Sequence, residues 1–290
     1  MKYDWKVSGH KNVIQNLEKD IETKRLSHAY IFSGPEAVGK LTVAKKFAEL
    51  LGANPSEGRV FLDEGNPIGI DEIREMTKDF FKTSYTENKR VIIIENAERM
   101  SIEAENSILK FLEEPPKNLV IIFTTKNYFL LLPTIISRMR VMHFHLLKKD
   151  LIKTVIKEEK LGEEELEEAL QIASGRIGIL KKIIKDPHFL FETRENHNLF
   201  TKMTNGKLSV AETFTVTEEM SDKEKRENLK DFLESLMFFL RSLILRSAKK
   251  GDREQVISTL NKINIFRETL KNIERNANLR LSLENMILSF

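Results

Sequence analysis

A glycine-rich segment near the start of the chain, GPEAVGKL at 34–41, has the spacing of a phosphate-binding loop. Such a loop needs two glycines separated by four residues, then lysine, then serine or threonine. The glycines let backbone N–H groups converge on phosphate oxygens, the lysine reaches the outer phosphates, and the hydroxyl binds Mg²⁺. Gly34, Gly39 and Lys40 satisfy the pattern, whereas Leu41 replaces the hydroxyl. The alternative is a glycine-rich turn with a surface lysine.

A second segment stands where a phosphate-loop ATPase carries its acidic pair. The apolar run 91–94 is followed by Glu95 and Asn96, where a hydrolysing enzyme has Asp and Glu. In such enzymes the Asp holds Mg²⁺ and the Glu polarises the attacking water. Glu95 could still lie near a metal, but Asn96 cannot act as a base. With two groups replaced, we expect no hydrolysis by the chain alone, although Lys40 and the loop amides still allow nucleotide binding.

A third feature lies in the segment LPTIISRMR at 132–140, which follows an apolar run. Ser137 and Arg138 stand there, and an arginine at this place can protrude from the edge of its domain. Such a group can stabilise phosphate charge in a neighbouring subunit. On spacing alone, an ordinary surface arginine in a basic turn is the better interpretation.

The elements that must position these residues alternate between helical patterns and short apolar runs over residues 1–145. This rhythm is typical of an α/β domain with a parallel sheet. We predict strands at 29–32, 60–62, 91–94, 119–123 and 141–145. Helices are predicted at 39–51, after a cap at Asp71, and from a cap at Ser101 to Pro115.

Beyond residue 146 the pattern becomes helical. Residues 147–187 hold two or three short helical patterns, with Gly162 and Gly175 as breaks. Longer amphipathic helices are predicted at 222–248, 252–273 and 277–289. The sequence thus predicts three domains, with bounds 1–145, 146–190 and 191–290.

Composition limits the class of protein. The chain has 290 residues with 47 Lys and Arg against 44 Asp and Glu, so its charge permits contact with nucleic acid without arguing for it. Without cysteine it forms no disulfide, and any zinc site would need histidines and carboxylates. The N-terminus lacks an apolar signal core and no apolar stretch has membrane-spanning length, so we expect a soluble, cytoplasmic protein with no membrane partner.

Six segments of the chain can be compared with known sequence motifs. They are RLSHAYIFSGPEAVGK (25–40), NPIGIDEIREM (66–76), VIIIENAERM (91–100), NSILKFLEEPP (106–116), Thr124 with Thr125, and LLPTIISRMR (131–140). In this order they resemble the phosphate-loop region, the Ile-x-Val-Asp-x-Ile-Arg segment, the Walker B strand, the helix ending in Leu-Glu-Glu-Pro-Pro, the sensor 1 threonines and the Ser-Arg-Cys motif. These are motifs of the clamp-loader branch of the AAA+ proteins, which the chain therefore resembles. A weaker likeness continues to NANLRLSLENMIL (276–288), which resembles the last helix of a clamp-loader collar.

The resemblance implies an AAA+ α/β domain with a parallel sheet, a small helical lid and an all-helical collar that mediates oligomerisation. Motor subunits of this family keep the hydroxyl after the loop lysine, the Asp-Glu pair and a sensor 2 arginine, whose place Gly178 takes here. The three losses match the non-hydrolysing stator class, called delta-prime. By the same resemblance, Ser137 and Arg138 would complete the ATP site of an adjacent motor subunit, with Met139 in place of the motif's cysteine.

The resemblance also implies the partners and cofactors. They are gamma/tau-type motor subunits, a delta subunit, the sliding clamp and primed DNA, within the DNA polymerase III holoenzyme. We expect no required cofactor, with ATP, ADP, phosphate or sulfate binding weakly at most. Many relatives hold a four-cysteine zinc module after the loop helix. This chain has no cysteine, and residues 52–60 leave no room for the module, so we expect no zinc or other metal.

Two alternative functions stay open. One is a working AAA+ motor ATPase in which Glu95 takes the metal role, which Mg²⁺-dependent nucleotide binding would favour. The other is a DNA-binding adaptor that uses Lys181, Lys182 and Lys185 of the lid. Strong salt dependence of DNA affinity would favour the adaptor, although a solvated basic face is the commoner explanation for such lysines.

Overall fold

The computed structural model describes residues 3–53, 59–61, 68–82, 89–116, 118–155, 162–204, 226–275 and 277–290. The chain divides into two compact units. The first comprises Met1–Glu158 with Gly175–Gly178, and the second comprises Glu159–Ser174 with Ile179–Phe290. The division into three domains at 145 and 190 stays a prediction. Among the described helices, none is both long and apolar enough to cross a bilayer.

A five-stranded parallel sheet forms the centre of the first unit. Its strands are β1 (Ala29–Ser33), β2 (Arg59–Phe61), β3 (Arg90–Ile94), β4 (Leu119–Thr125) and β5 (Arg140–His143). They lie in the order β2-β3-β4-β1-β5. Every residue of β1, β3 and β4 is buried, as expected for central strands covered on both faces. The predicted α/β class with a parallel sheet is confirmed.

Helices cover both faces of the sheet. They are α1 (Lys11–Glu22), α2 (Lys40–Leu50), α3 (Ile70–Lys82), α4 (Ile102–Glu113) and α5 (Pro133–Ile136), and the short helix α6 (Lys149–Val155) follows β5. Neighbouring residues of β3 enter opposite cores, because side chains alternate along a strand. Ile92 and Ile94 pack in the cluster that contains Ile108 of α4, whereas Val91 packs in the cluster that contains Phe47 of α2.

The ends of two helices test the predicted caps. Ser101 caps α4 as predicted, since its hydroxyl accepts from the Ala104 amide at 3.1 Å. The prediction that Asp71 caps α3 is wrong, because α3 begins at Ile70 and Asp71 lies in its first turn. The Glu72 carboxylate instead reaches back and accepts from the amide before the helix at 2.6 Å.

Helices make up the described remainder of the chain. They are α7 (Glu163–Ala173), α8 (Ile177–Lys185), α9 (Pro187–Thr204), α10 (Arg226–Lys250), α11 (Arg253–Glu274) and α12 (Leu279–Leu288). In the second unit, Leu233 and Leu240 of α10, Phe266 of α11 and Leu283 of α12 share one buried cluster. The predicted helical C-terminal region is confirmed.

A buried carboxylate ties the edge strand β5 to the rest of the first unit. The Asp20 side chain on α1 is 8% exposed, and both of its oxygens accept from Nη1 of Arg140, at 2.7 and 2.6 Å. The Tyr30 hydroxyl of β1 donates to the same carboxylate at 3.0 Å. One acidic group therefore joins a helix, a central strand and the edge strand.

Replacing Arg140 with alanine is expected to lower the free energy of unfolding of the first unit by about 1–3 kcal/mol, because buried Asp20 loses its charged partner. Urea unfolding followed by Trp5 fluorescence measures this, since Trp5 is the only tryptophan and is buried in this unit. Arg25→Ala is the matched control, because the exposed Arg25 side chain bonds to no other described residue. Its expected change is within about 0.5 kcal/mol. Equal stability of the two variants would contradict the role given to Asp20.

Candidate functional site

The phosphate-type loop connects β1 to α2, as the sequence predicted. Gly39 precedes α2 with φ of 107°, in the left-handed region that glycine tolerates best. Gly34 lies so close to the chain after β5 that a Cβ atom would come within 2.2 Å of the Phe144 carbonyl oxygen. The backbone conformation at Gly39 and the close contact at Gly34 therefore both favour glycine. The loop also lies between a strand and a helix, as phosphate binding requires.

The Lys40 side chain lies beneath this loop and is 6% exposed. Its Nζ donates to the carbonyls of Gly34 and Pro35, at 2.7 and 2.8 Å. A lysine ammonium has three donors, so one remains for a phosphate oxygen. Burial lowers the pKa of Lys40 to about 8, against the opposing effect of the nearby carboxylates of Glu98 and Glu36. The loop and its lysine thus keep an arrangement that suits an anion.

The next residue, Leu41, has a different role from the hydroxyl that it replaces. Its side chain packs against the buried cluster formed by α1, α2 and one face of the sheet. It has no oxygen to offer a metal ion. The position that binds Mg²⁺ in a hydrolysing loop therefore contributes to the apolar core here.

The ends of β3 and β4 lie beside the loop, because parallel strands end at the same edge of a sheet. The Asn96 amide donates to the Thr124 hydroxyl at 3.2 Å, and Thr124 and Thr125 are both buried. Glu95 is near enough to favour the charged form of Lys40. The structure thus brings together the loop, the replaced acidic pair and the two threonines.

Three charged residues in or beside the loop, Glu36, Glu98 and Lys126, were not singled out from the sequence. Nζ of Lys126 lies 3.2 Å from a carboxylate oxygen of Glu36, which belongs to the loop. The Lys126 amide donates to Glu98 at 3.1 Å. Lys126 directly follows Thr125, so its place at the end of β4 was the signal that could have found it.

Two groups from outside the loop bond to its carbonyl oxygens. The Gly178 amide donates to the Ala37 carbonyl at 2.7 Å, and Nε2 of His10 donates to the Val38 carbonyl at 2.9 Å. Burial lowers the pKa of His10. A Cβ atom at position 178 would lie 2.9 Å from the Ala37 oxygen. The place where the resemblance expects the sensor 2 residue therefore has little room for an arginine side chain.

Ser137 and Arg138 belong to a different part of the unit, at the end of α5. The Arg138 side chain is 35% exposed and Nη2 bonds to Glu113 of α4 at 2.6 Å. Nη1 donates to the Thr134 carbonyl at 2.9 Å and to the Ser137 hydroxyl at 3.3 Å. In the described residues, none of its hydrogen bonds goes to the phosphate-type loop. Arg138 is therefore partly exposed at the surface of its unit and does not bond to its own unit's loop.

Comparison with known proteins shows which family this part of the chain resembles. The sequence model of the family described as "DNA polymerase III, delta subunit" matches residues 9–59 and 52–148. These ranges contain the phosphate-type loop, the ends of β3 and β4, and Arg138. The match therefore covers the candidate site residues from Gly34 to Arg138.

Several DNA polymerase III subunits are similar in sequence. Subunit delta' of Bacillus subtilis is 34% identical over 170 residues, which cover 52% of this chain and 52% of that protein. Subunit gamma/tau of Mycobacterium tuberculosis H37Rv is 32% identical over 163 residues, which cover 49% of this chain and 28% of that protein. Subunit tau of Bacillus subtilis is 25% identical and the match covers 93% of this chain and 55% of that protein. The chain thus spans about half or less of the length of these relatives.

Two solved structures from Thermotoga maritima share the fold. A gamma subunit-related protein of DNA polymerase III is 22% identical with a TM-score of 0.53, over 94% of this chain and 97% of that one. A RuvB mutant is 17% identical with a TM-score of 0.51, over 65% of this chain and 66% of that one. These identities support the AAA+ fold and no finer likeness. Over residues 9–148, the chain is similar in sequence to clamp-loader subunits of DNA polymerase III, among them subunit delta' and the gamma/tau subunits.

Proposed function

We propose that this chain is a non-hydrolysing, delta-prime-type stator of a bacterial DNA polymerase III clamp loader. It would assemble with gamma/tau-type motor subunits and a delta subunit, using the helical region 191–290 as its collar. The assembly would load the sliding clamp onto primed DNA in the cytoplasm. Arg138 would act on the ATP of a neighbouring motor subunit. The similarity to both delta' and gamma/tau subunits supports this membership.

The observation that carries the proposal is a phosphate-type loop that keeps its cradle beside two replaced catalytic groups. Lys40 lies under the loop with one donor to spare, whereas Leu41 packs into the core and Asn96 is neutral. Phosphoryl transfer needs a metal that bridges the outer phosphates and a group that orients the attacking nucleophile. Losing such groups costs orders of magnitude in turnover. The chain would therefore have the fold of an ATPase but would not hydrolyse ATP.

The surface position of Arg138 supports its action on another subunit. An arginine supplied in trans neutralises charge that develops on the transferred phosphoryl group, and its planar fork matches phosphate oxygens. Arg138 is partly exposed and has an exposed partner, Glu113. Arg140 pairs with buried Asp20, and that carboxylate would lose its charged partner if Arg140 moved away. Of these two arginines, Arg138 is the one that can reach outward.

Replacing Arg138 with alanine is expected to lower Mg²⁺-ATP turnover of the reconstituted assembly by about tenfold or more, because an arginine finger commonly contributes more than that at its own site. The purified chain alone should show no turnover. Steady-state ATPase assays with gamma/tau-type and delta-type subunits measure both.

Arg25→Ala is the control for the loss of an exposed arginine, and it should leave turnover of the assembly unchanged. Emission from buried Trp5 verifies that each variant is folded. An R138A assembly with normal turnover would refute the finger role. Magnesium-dependent hydrolysis by the chain alone would instead favour the motor alternative, in which Glu95 holds the metal.

We also propose that the loop binds ATP, ADP, phosphate or sulfate weakly and that this binding needs no metal ion. The chain would hold no zinc. Because Leu41 offers no ligand, affinity for ATP should be the same with Mg²⁺ and with EDTA. The charge of sulfate does not change near neutral pH, so the pH dependence of its affinity should reflect the protonation of Lys40. The anion needs the charged ammonium, which the folded chain loses as pH rises through about 8. Sulfate affinity should therefore fall about tenfold between pH 7 and 9.

Isothermal titration calorimetry measures these affinities, and Lys40→Met should abolish binding. Leu41→Thr returns a hydroxyl to the metal position and should make ATP binding stronger with Mg²⁺ than without. If the native chain already needs Mg²⁺, or if sulfate binding is equal at both pH values, the proposed role of Lys40 and Leu41 is wrong.

A further inference from the structure

The Arg138 guanidinium is oriented by three hydrogen bonds within its own unit. Nη1 donates both to the Thr134 carbonyl and to the Ser137 hydroxyl, and Nη2 donates to Oε1 of Glu113. An arginine side chain carries five N–H donors in a rigid plane. Within the described part of the chain no acceptor bonds to Nε, so the N–H on this atom remains available to a phosphate oxygen.

The backbone beside Arg138 is fixed without help from Glu113. Met139 is 6% exposed and packs in the cluster between the sheet and α4. The buried carboxylate of Glu105 on α4 accepts from the Leu132 amide at 2.8 Å, which holds the start of α5. Burial raises the pKa of this carboxyl group. The conformational freedom that remains is therefore that of the Arg138 side chain.

Glu113 is the only charged group in the described residues that bonds to this side chain, at the C-terminal end of α4. An exposed arginine otherwise samples many rotamers, and ordering it costs free energy at the moment of reaction. A donor that is already oriented acts on a developing charge without that cost. The carboxylate that contacts Nη2 thus limits the directions in which the guanidinium can point.

We infer that Glu113 is a positioning residue, which holds the Arg138 guanidinium ready for the phosphate of a neighbouring subunit. The inference rests on the proposed trans role of Arg138 and adds a residue of the Leu-Glu-Glu-Pro-Pro segment to it. Glu113 touches neither nucleotide nor nucleophile in this scheme, and it acts through the arginine alone. The next residue, Glu114, has the same charge and its exposed side chain bonds to no other described residue.

The test compares Glu113→Ala, Glu113→Gln, Glu114→Ala and Arg138→Ala in the assembly reconstituted with gamma/tau-type and delta-type subunits. Glu113→Ala should lower kcat about 2- to 5-fold, the factor expected for loss of an exposed ion pair. KM for ATP should stay constant, because the contact matters in the transition state. Glu113→Gln keeps an oxygen that can accept from Nη2 and should restore most of the turnover. Glu114→Ala should match the unmodified chain.

The double variant Glu113→Ala with Arg138→Ala should turn over ATP no more slowly than Arg138→Ala alone, since Glu113 has no other target. Trp5 emission and urea unfolding confirm that each variant keeps its fold. If Arg138→Ala lowers turnover while Glu113→Ala equals Glu114→Ala or exceeds the unmodified chain, the positioning role is overturned and the finger role stands. If Arg138→Ala has no effect, the finger role itself fails, and the two failures are thereby distinguished.

Discussion

Parallel pairing of β1 with β4 is the constraint on which the first unit depends. The register places Ser33 opposite Thr125, and the Gly34 amide continues the ladder by donating to the Thr125 carbonyl at 3.1 Å. Parallel strands end at a common edge, so the loop after β1 must emerge beside the residues that follow β4. Pairing of β4 with β3 brings Asn96 to the same edge. Backbone hydrogen bonds thus assemble the site, whatever its side chains can catalyse.

This origin explains how the loop keeps its shape without a metal ligand. Leu41 lies in the first turn of α2, where its side chain reaches the apolar cluster, so a leucine contributes buried surface that a serine would not. Lys40 has its two loop carbonyls as partners even without a ligand. Lys126 pairs with Glu36 in the same neighbourhood. The cationic groups Lys40 and Lys126 therefore have partners within the unit itself.

The sequence predicted the elements well where a local pattern determines them. The apolar runs of β1, β3 and β4 and the serine that caps α4 are local signals, and each was confirmed. The error at Asp71 arose because the Glu72 carboxylate accepts from the Gly69 amide, so the helix starts two residues earlier than a cap at Asp71 would allow. His10 and Gly178 contact the loop from distant parts of the chain. Such contacts follow from tertiary packing and leave no mark in local spacing.

The two arginines of the segment Ser137–Arg140 show what the sequence alone cannot decide. Both follow the same buried strand and carry the same charge, so spacing does not separate a structural role from an outward one. The structure gives Arg140 a partner that is 8% exposed and Arg138 a partner that is 50% exposed in its side chain. If Arg140 moved away, the buried Asp20 carboxylate would lose its charged partner. The exposed ion pair of Arg138 contributes only about 0–1 kcal/mol to the free energy of unfolding. An arginine that binds a neighbouring subunit has to leave its own partner without destabilising its own unit. Of these two arginines, only Arg138 meets that condition.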